Sequence, residues 1–259
     1  MAPETLRAGS RLPRPERVSR RASIDAVSEE RSGQYVAYTC FRVKLGWRRL
    51  PVEERAAAKD AFAETIDDFA RHFDLLNTYS TTGVRPDCDF FLWKITPRYE
   101  DLGELGAALN GTPLAGWLET SYSYLATTKA SQYTSARRAR RLTPRGSPYL
   151  VLYPFVKVRP WYALAEEDRQ RAMDEHIAIG GEHPSIHNHT TYSFGIDDQE
   201  FMTAFECDEP ADFMHLMLRL RESEASRYTE RDTPIFVGQL MEIRAALDRL
   251  DGVGARVEA

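Results

Sequence analysis

Between Tyr35 and Leu240 one order of local patterns, β-α-β-β-α-β, occurs twice. Nothing else in the chain restricts its fold as much. Tyr35 to Val43 is β-branched and aromatic, and Val52 to Phe73 then places Phe62, Ile66, Phe69 and Phe73 at the four-three-four spacing of an amphipathic helix. Leu76 to Thr81 and Asp89 to Ile95 read as short strands split by a turn-rich Gly83 to Asp87, followed by a helix over Asp101 to Leu109 and a strand over Ser121 to Lys129. The second pass reads strand Tyr149 to Val156, helix Glu166 to Gly180, strands His187 to Phe194 and Phe201 to Glu206, helix Ala211 to Arg221 and strand Ile235 to Leu240. Each pass describes a ferredoxin-like unit, an antiparallel sheet with helices on one face. The bare face of each sheet needs cover, so the expected fold is α+β, two such units packed sheet to sheet in a dimeric α/β-barrel-like core. The units span residues 34–130 and 149–242, joined by a basic linker over 131–148.

The flanks and composition limit what this fold can do. Residues 1–33 interleave Arg7, Arg11, Arg14, Arg17, Arg20 and Arg21 with prolines and serines and carry almost no apolar periodicity. They read as a flexible arm. Glu4, Glu16, Asp25, Glu29 and Glu30 argue against an organellar transit peptide, and no apolar core of a secretory signal is present. Residues 243–259 read as a C-terminal tail. A net charge of −5 gives no electrostatic case for nucleic acid, and no apolar run reaches the length of a membrane span. Cys40, Cys88 and Cys207 are odd in number and far apart, as expected of buried free thiols. A soluble, cytoplasmic protein with a small-molecule partner is the expectation.

The second unit carries the chemistry. In its first helix Met173, His176 and Ile177 fall at i, i+3 and i+4, which turns His176 inward. Such a histidine is either a satisfied core residue or a metal ligand, and a ligand normally donates its other ring N–H to a carboxylate or carbonyl. Glu224, beyond the Phe213, Leu216, Leu220 stripe, is a candidate for that carboxylate. Tyr153 and Lys157 lie on the strand before the helix, where Tyr153 is either an aromatic core residue or a redox-active phenol. His183, His187 and His189 raise a second metal reading, because alternate strand residues share a face, though no cysteine or carboxylate partner is evident. Arg137, Arg138, Arg140, Arg141 and Arg145 make the linker basic without the aromatics of a nucleic-acid surface. His72 and His215 sit in amphipathic helices as packing or surface residues.

Together these segments resemble the chlorite dismutase and coproheme decarboxylase family of haem proteins. The resemblance runs from Gly33 to about Gly238 and rests on the order of several pieces: Ser121 to Tyr124, Tyr153 and Pro154 with Lys157, Trp161 and Tyr162, and Asp174 to His176. It continues through Phe194 to Phe201, Arg221 to Ser226 with Arg227 and Tyr228, and Phe236 to Gly238. It implies two ferredoxin-like halves, assembled as a ring of five subunits, with His176 as the proximal iron ligand and Glu224 as its carboxylate. In the decarboxylase branch the tyrosine matched by Tyr153 is oxidised and takes hydrogen from a porphyrin propionate. Lys157 and Ser226 match propionate-side residues, and Trp161, Tyr133 and Arg138 match positions bordering the porphyrin.

The chlorite-degrading branch carries an arginine on the distal strand before the Gly-Asp-Asp turn, and this chain has none between His183 and Thr190. Without a guanidinium to hold the anion over the iron, chlorite chemistry is disfavoured. The distal position falls on Asn188, which could hydrogen-bond peroxide, or with a one-residue shift on His189, which could act as a base. The function implied is peroxide-dependent decarboxylation of iron coproporphyrin III to haem b, with the porphyrin as both substrate and redox group. A haem-binding or haem-transfer protein with weak peroxidase activity is the first alternative, and a chlorite lyase the second.

Overall fold

The computed structural model describes residues 33–133 and 141–252. The expected arm lies outside these residues except for Gly33, as do Arg137, Arg138 and Arg140 of the linker and residues 253–259 of the expected tail. The first half contains β1 (Tyr35–Val43), α1 (Val52–Ala70), β2 (Leu75–Ser80), β3 (Phe90–Thr96), α2 (Tyr99–Asn110) and β4 (Leu118–Thr127). The second contains β5 (Tyr149–Lys157), a single turn α3 (Pro160–Ala163), α4 (Glu166–Gly181), β6 (His187–Asn188), β7 (Thr191–Tyr192), β8 (Phe201–Cys207), α5 (Pro210–Glu222), β9 (Thr229–Arg231) and β10 (Phe236–Met241). The twice-repeated order read from the sequence is therefore present, as one mixed α/β barrel.

The strands run β8-β7-β4-β1-β3-β2-β10-β5, and β5 pairs back onto β8 to close the ring. Closure removes the exposed edges that open sheets carry. It also gives every strand an inside and an outside, because successive side chains point to opposite faces. β3 shows the consequence: all its residues are buried, Phe91, Trp93 and Ile95 into the barrel interior and Phe90 and Leu92 outward under α1 and α2. On β5, Leu150 and Leu152 face the interior while Val151 and Tyr153 face α4 and α5. The fold thus has one core inside the barrel and one outside it in each half.

Two segments differ from the sequence reading. The strand expected from His187 to Phe194 is broken into β6 and β7, although the register against β8 is the same on both sides, His187 and Asn188 opposite Glu206 and Phe205, Thr191 and Tyr192 opposite Met202 and Phe201. The ladder lapses where His189 bonds to Glu206 and the Thr190 hydroxyl donates back to Asn188. The expected tail also carries α6 (Ile243–Asp248), whose Ile243 and Leu247, with Leu250 beyond it, enter the outer core of the first half. Asp248 and Asp251 receive the buried Lys59 ammonium at 2.5 and 3.3 Å, so the C-terminal segment locks onto α1.

Gly238 marks the tightest point of the interior. A Cβ built there would meet the Phe91 ring at 2.6 Å and Tyr79 Cβ at 2.7 Å, across the pair that stacks at 5.2 Å. Gly238→Ala should lower unfolding free energy by about 1–3 kcal/mol through overpacking, read as a shifted urea midpoint. Gly180→Ala, where a Cβ meets nothing within 4 Å, should leave stability equal or slightly higher.

Candidate functional site

Outside the barrel in the second half, α4 and α5 stand off the wall built by β5 and β8, leaving a cavity of about 1130 Å³. That is at or above the size of typical small-molecule pockets. Tyr153, Lys157, Trp161, His176, Asn188, His189, Tyr133 and Ser226 all line it, so the structure brings together every site residue read from the sequence except Glu224 and the undescribed Arg138.

His176 reaches the cavity from α4, where Ala172 and Ile179 fix the buried stripe. Its Nδ1 is buried without a hydrogen-bond partner. Burial, reinforced by the Lys157 charge, pushes its pKa down to about 4, so the imidazole is neutral at pH 7. A neutral imidazole is the form that binds a metal. The bond expected from Glu224 is not formed: that carboxylate lies 3.8 Å from Arg171, and the Glu224 backbone N–H donates to Glu175 at 2.8 Å. Glu224 opens a short 3-10 turn (Glu224–Tyr228), and Arg171 draws its side chain outward to solvent.

Tyr153 is buried on β5, its ring stacked on Phe205 at 6.0 Å and its hydroxyl 3.8 Å from Met217 Sδ. Burial lifts its pKa to about 12, so it stays a neutral phenol. Lys157 donates from Nζ to the Ala225 carbonyl at 2.6 Å and lies over the Trp161 ring at 4.3 Å. Burial, opposed by the Glu200 charge, lowers its pKa to about 8. Trp161 is buried against Tyr228 and borders Tyr133 at 6.5 Å.

Strand register separates the two distal candidates. Asn188 lies opposite Phe205, whose side chain belongs to the outer, helix-side face with Tyr153. His189 lies opposite Ala204, which faces the barrel interior, and its backbone N–H donates to the Ala204 carbonyl at 2.8 Å. The imidazole of His189 packs beside Trp93 at 5.3 Å and meets Glu206 Oε2 at 2.7 Å from Nε2. Glu206 was not singled out by its sequence, since a strand glutamate has no local signal. It is fully buried, yet its oxygens also accept the backbone N–H groups of Arg145, Gly146 and Ser147. One carboxylate thereby ties the distal strand to the end of the linker. Arg141 and Arg145 accordingly lie at the cavity, with Arg141 paired to Asp74 at 2.6 Å. Among the described residues no group of three or more His, Cys, Asp or Glu could hold a metal ion, so the His183, His187, His189 reading finds no ligand set. Nor is any described helix long and apolar enough to cross a membrane.

The residues present fit an iron porphyrin. A flat aromatic macrocycle needs an apolar slot, supplied by Phe155, Phe201, Phe205, Met173, Met217 and Leu220. Its iron needs an unprotonated imidazole, and its carboxylates need cations, here Lys157 and Arg221. Met217 was visible in the sequence only as part of an ordinary amphipathic helix, and Arg221 only as the first residue of a piece that carries the resemblance.

The chain is similar to known proteins along most of its length. Residues 55–241 match the family model described as chlorite dismutase. The coproheme decarboxylase of Mycolicibacterium smegmatis is 26% identical over 234 residues, covering 88% of this chain and 99% of the relative. That of Staphylococcus carnosus is 28% identical over 241 residues, covering 84% and 96%. Among solved structures, an arginine-to-lysine variant of chlorite dismutase from Candidatus Nitrospira defluvii superposes with a TM-score of 0.78 at 22% identity, covering 87% of this chain and 99% of that one. This last likeness speaks to the fold alone.

Glu206 yields a test of the wall. Burial raises its pKa, but the bonds from His189 and from the Arg145 and Gly146 N–H groups outweigh this and hold it at about 2, against an ordinary 4.5. A depressed carboxyl stabilises the fold fully above the unfolded value and loses that contribution as pH falls through the folded one. Glu206→Gln should therefore be less stable than the natural protein near pH 6. The gap should shrink as pH falls from about 4.5 toward 2, measured as urea midpoints along the pH series.

Proposed function

Because the chain belongs to the chlorite dismutase family, we propose that it uses hydrogen peroxide to decarboxylate two propionates of iron coproporphyrin III, forming haem b. The observation that carries this reading is the placement of a buried, neutral Tyr153 on the wall of the cavity that His176 enters. The names of the two coproheme decarboxylases similar along most of the chain support it. At each position the propionate loses carbon dioxide and one hydrogen to become a vinyl group, a two-electron oxidation. One peroxide accepts those two electrons together with the released hydrogen, as a proton, and one further proton, and becomes two waters.

The bound substrate supplies the redox-active iron. His176 binds that iron as a neutral imidazole, needing no deprotonation at neutral pH. Tyr153 gives up its phenolic hydrogen and takes one from the propionate side chain. Its seclusion against Phe205, Phe213 and Met217 keeps water from quenching the radical. Lys157 exchanges the Ala225 carbonyl for a propionate oxygen, and a paired carboxylate raises its pKa so that it remains an ammonium. Asn188, on the outer face, offers the amide that orients peroxide, and Ser226, Trp161, Tyr133 and Arg138 border the porphyrin. His189, turned inward, acts by holding the strand in place. Residence in the cytoplasm and assembly as a ring of five belong to the same proposal.

The alternative of a haem-binding or haem-transfer protein draws on one observation, the engagement of Glu224 by Arg171 rather than by His176. Anaerobic loading with iron coproporphyrin, peroxide addition and mass analysis of the porphyrin separates the readings. The natural protein should remove two carboxyl groups, and Tyr153→Phe should bind the porphyrin with unchanged affinity while removing none. Retention of every carboxyl group by the natural protein would favour the transfer reading, and oxygen release from added chlorite the lyase.

A further inference from the structure

A row of oxidisable rings crosses the barrel interior, and the chemistry above gives it no task. Trp93 on β3 lies opposite Tyr38 on β1, and Tyr38 lies opposite Tyr124 on β4. Side chains paired in this way have their Cβ atoms about 4.5–5.5 Å apart. Trp93 and Tyr38 stack at 6.0 Å, and Tyr124 stacks at 6.2 Å on Tyr122, two residues away on the same face of β4. At one end His189, which borders the cavity, packs on Trp93 at 5.3 Å. At the other end Tyr122 is partly exposed. Phenylalanine would fill such space equally well, but only tryptophan and tyrosine give up an electron readily.

The hydroxyls decide where the loss of an electron comes to rest. Trp93 Nε1 and the Tyr38 hydroxyl are buried without a hydrogen-bond partner. A phenol stays oxidised only when its proton has an acceptor, so Tyr38 passes the vacancy on. Tyr122 differs, because its hydroxyl donates to Asp87 Oδ2 at 2.7 Å, and Arg85 grips the same carboxylate from Nε and Nη2 at 2.8 and 2.6 Å. Burial raises the Asp87 pKa, but the bonds from Arg85 and Tyr122 outweigh it and keep Asp87 ionised. An oxidised phenol is acidic enough to protonate even that carboxylate. We propose that Tyr122 is a second oxidation site, where phenols and other one-electron donors outside the cavity are oxidised through the row of Trp93, Tyr38 and Tyr124. This rests on the iron-porphyrin reading of the cavity, with hydrogen peroxide as the oxidant. Trp93 gives an electron toward the cavity past His189 and regains one from Tyr122 along the row. Tyr122 passes its hydroxyl proton to Asp87 and becomes a neutral phenoxyl. A donor phenol then supplies an electron to Tyr122, Asp87 returns the proton, and the donor's own proton goes to solvent. Two such turnovers and two protons reduce one peroxide to two waters.

The test uses the full chain loaded with haem b, so that no decarboxylation is needed. Peroxide is added with a nitroso spin trap, and the trapped residue is located by peptide mass analysis. A tyramine-dextran conjugate, a phenol on a carrier too large for the cavity, reports turnover as dityrosine fluorescence. The natural protein should carry the trap on Tyr122 and oxidise the conjugate. Tyr122→Phe should lose both signals, and Trp93→Phe should lose the label on Tyr122. Asp87→Asn should slow conjugate oxidation about a hundredfold, the lower end of what a placed proton acceptor contributes. Tyr99→Phe, at an exposed tyrosine off the row, should change neither signal. Thermal melts check each variant, and Tyr122→Phe removes only one partly exposed hydroxyl. Label on other tyrosines alone, or conjugate oxidation undiminished in Tyr122→Phe, would overturn the proposal. A chain that takes up no porphyrin sinks it together with the iron-porphyrin reading. One that removes carboxyl groups from iron coproporphyrin yet leaves Tyr122 unmarked sinks the second site alone.

Discussion

The pairing of β5 with β8, continuous from Tyr149 opposite Cys207 to Phe155 opposite Phe201, is the constraint on which the rest depends. It closes the barrel, and by the two-residue period of a strand it divides each chain segment between two environments. Leu150, Leu152, Met202 and Ala204 go to the interior, while Tyr153, Thr203 and Phe205 go to the cavity wall. Every residue of the candidate site is placed relative to this seam. A slip of one residue would send Tyr153 inward and present Leu152 to the cavity.

The site built on this seam combines apolar residues, Phe155, Phe201, Phe205 and Met217, with the cations Lys157 and Arg221. His176 and Lys157 are both driven toward their neutral forms by burial, in opposition to the usual tendency of each to hold a proton at its ordinary pKa. Glu206 is driven the other way, because three backbone N–H groups and His189 satisfy its charge inside the protein. A buried ion persists when its bonds are supplied: Lys157, bonded to the Ala225 carbonyl, keeps its proton at neutral pH despite its lowered pKa, whereas His176, whose Nδ1 has no partner, is neutral. Among the described residues of the cavity wall, His176 Nδ1 is the one buried side-chain nitrogen or oxygen left without a partner. A group bound at His176 would change its balance.

The sequence carried the strand and helix order because alternation and helical spacing are local, and α4 was legible for the same reason. Asn188 and His189 were not separable by sequence, since adjacent strand residues exchange faces on a shift of one. The register against Phe205 and Ala204 puts them on opposite faces of the strand, while both border the cavity. Glu224 illustrates the opposite limit: its place in the chain was clear, but whether it turned to His176 or to Arg171 depended on a competing cation five residues before His176 on α4. The role of Glu206 depended on a contact with linker residues about sixty positions earlier, and the Arg221 to Asp232 pair on how a short 3-10 turn and β9 fold the chain back. Such long-range side-chain pairings have no periodic signature.

We propose that this cavity holds an iron porphyrin through His176. It is tested most directly by electron paramagnetic resonance and absorption spectra of the natural protein and of His176→Gly, each loaded with iron coproporphyrin, before and after addition of free imidazole. His176→Gly should lose the axial nitrogen signature, and imidazole, entering the space left by the side chain, should restore it. Spectra of His176→Gly identical to those of the natural protein, and unmoved by imidazole, would contradict it.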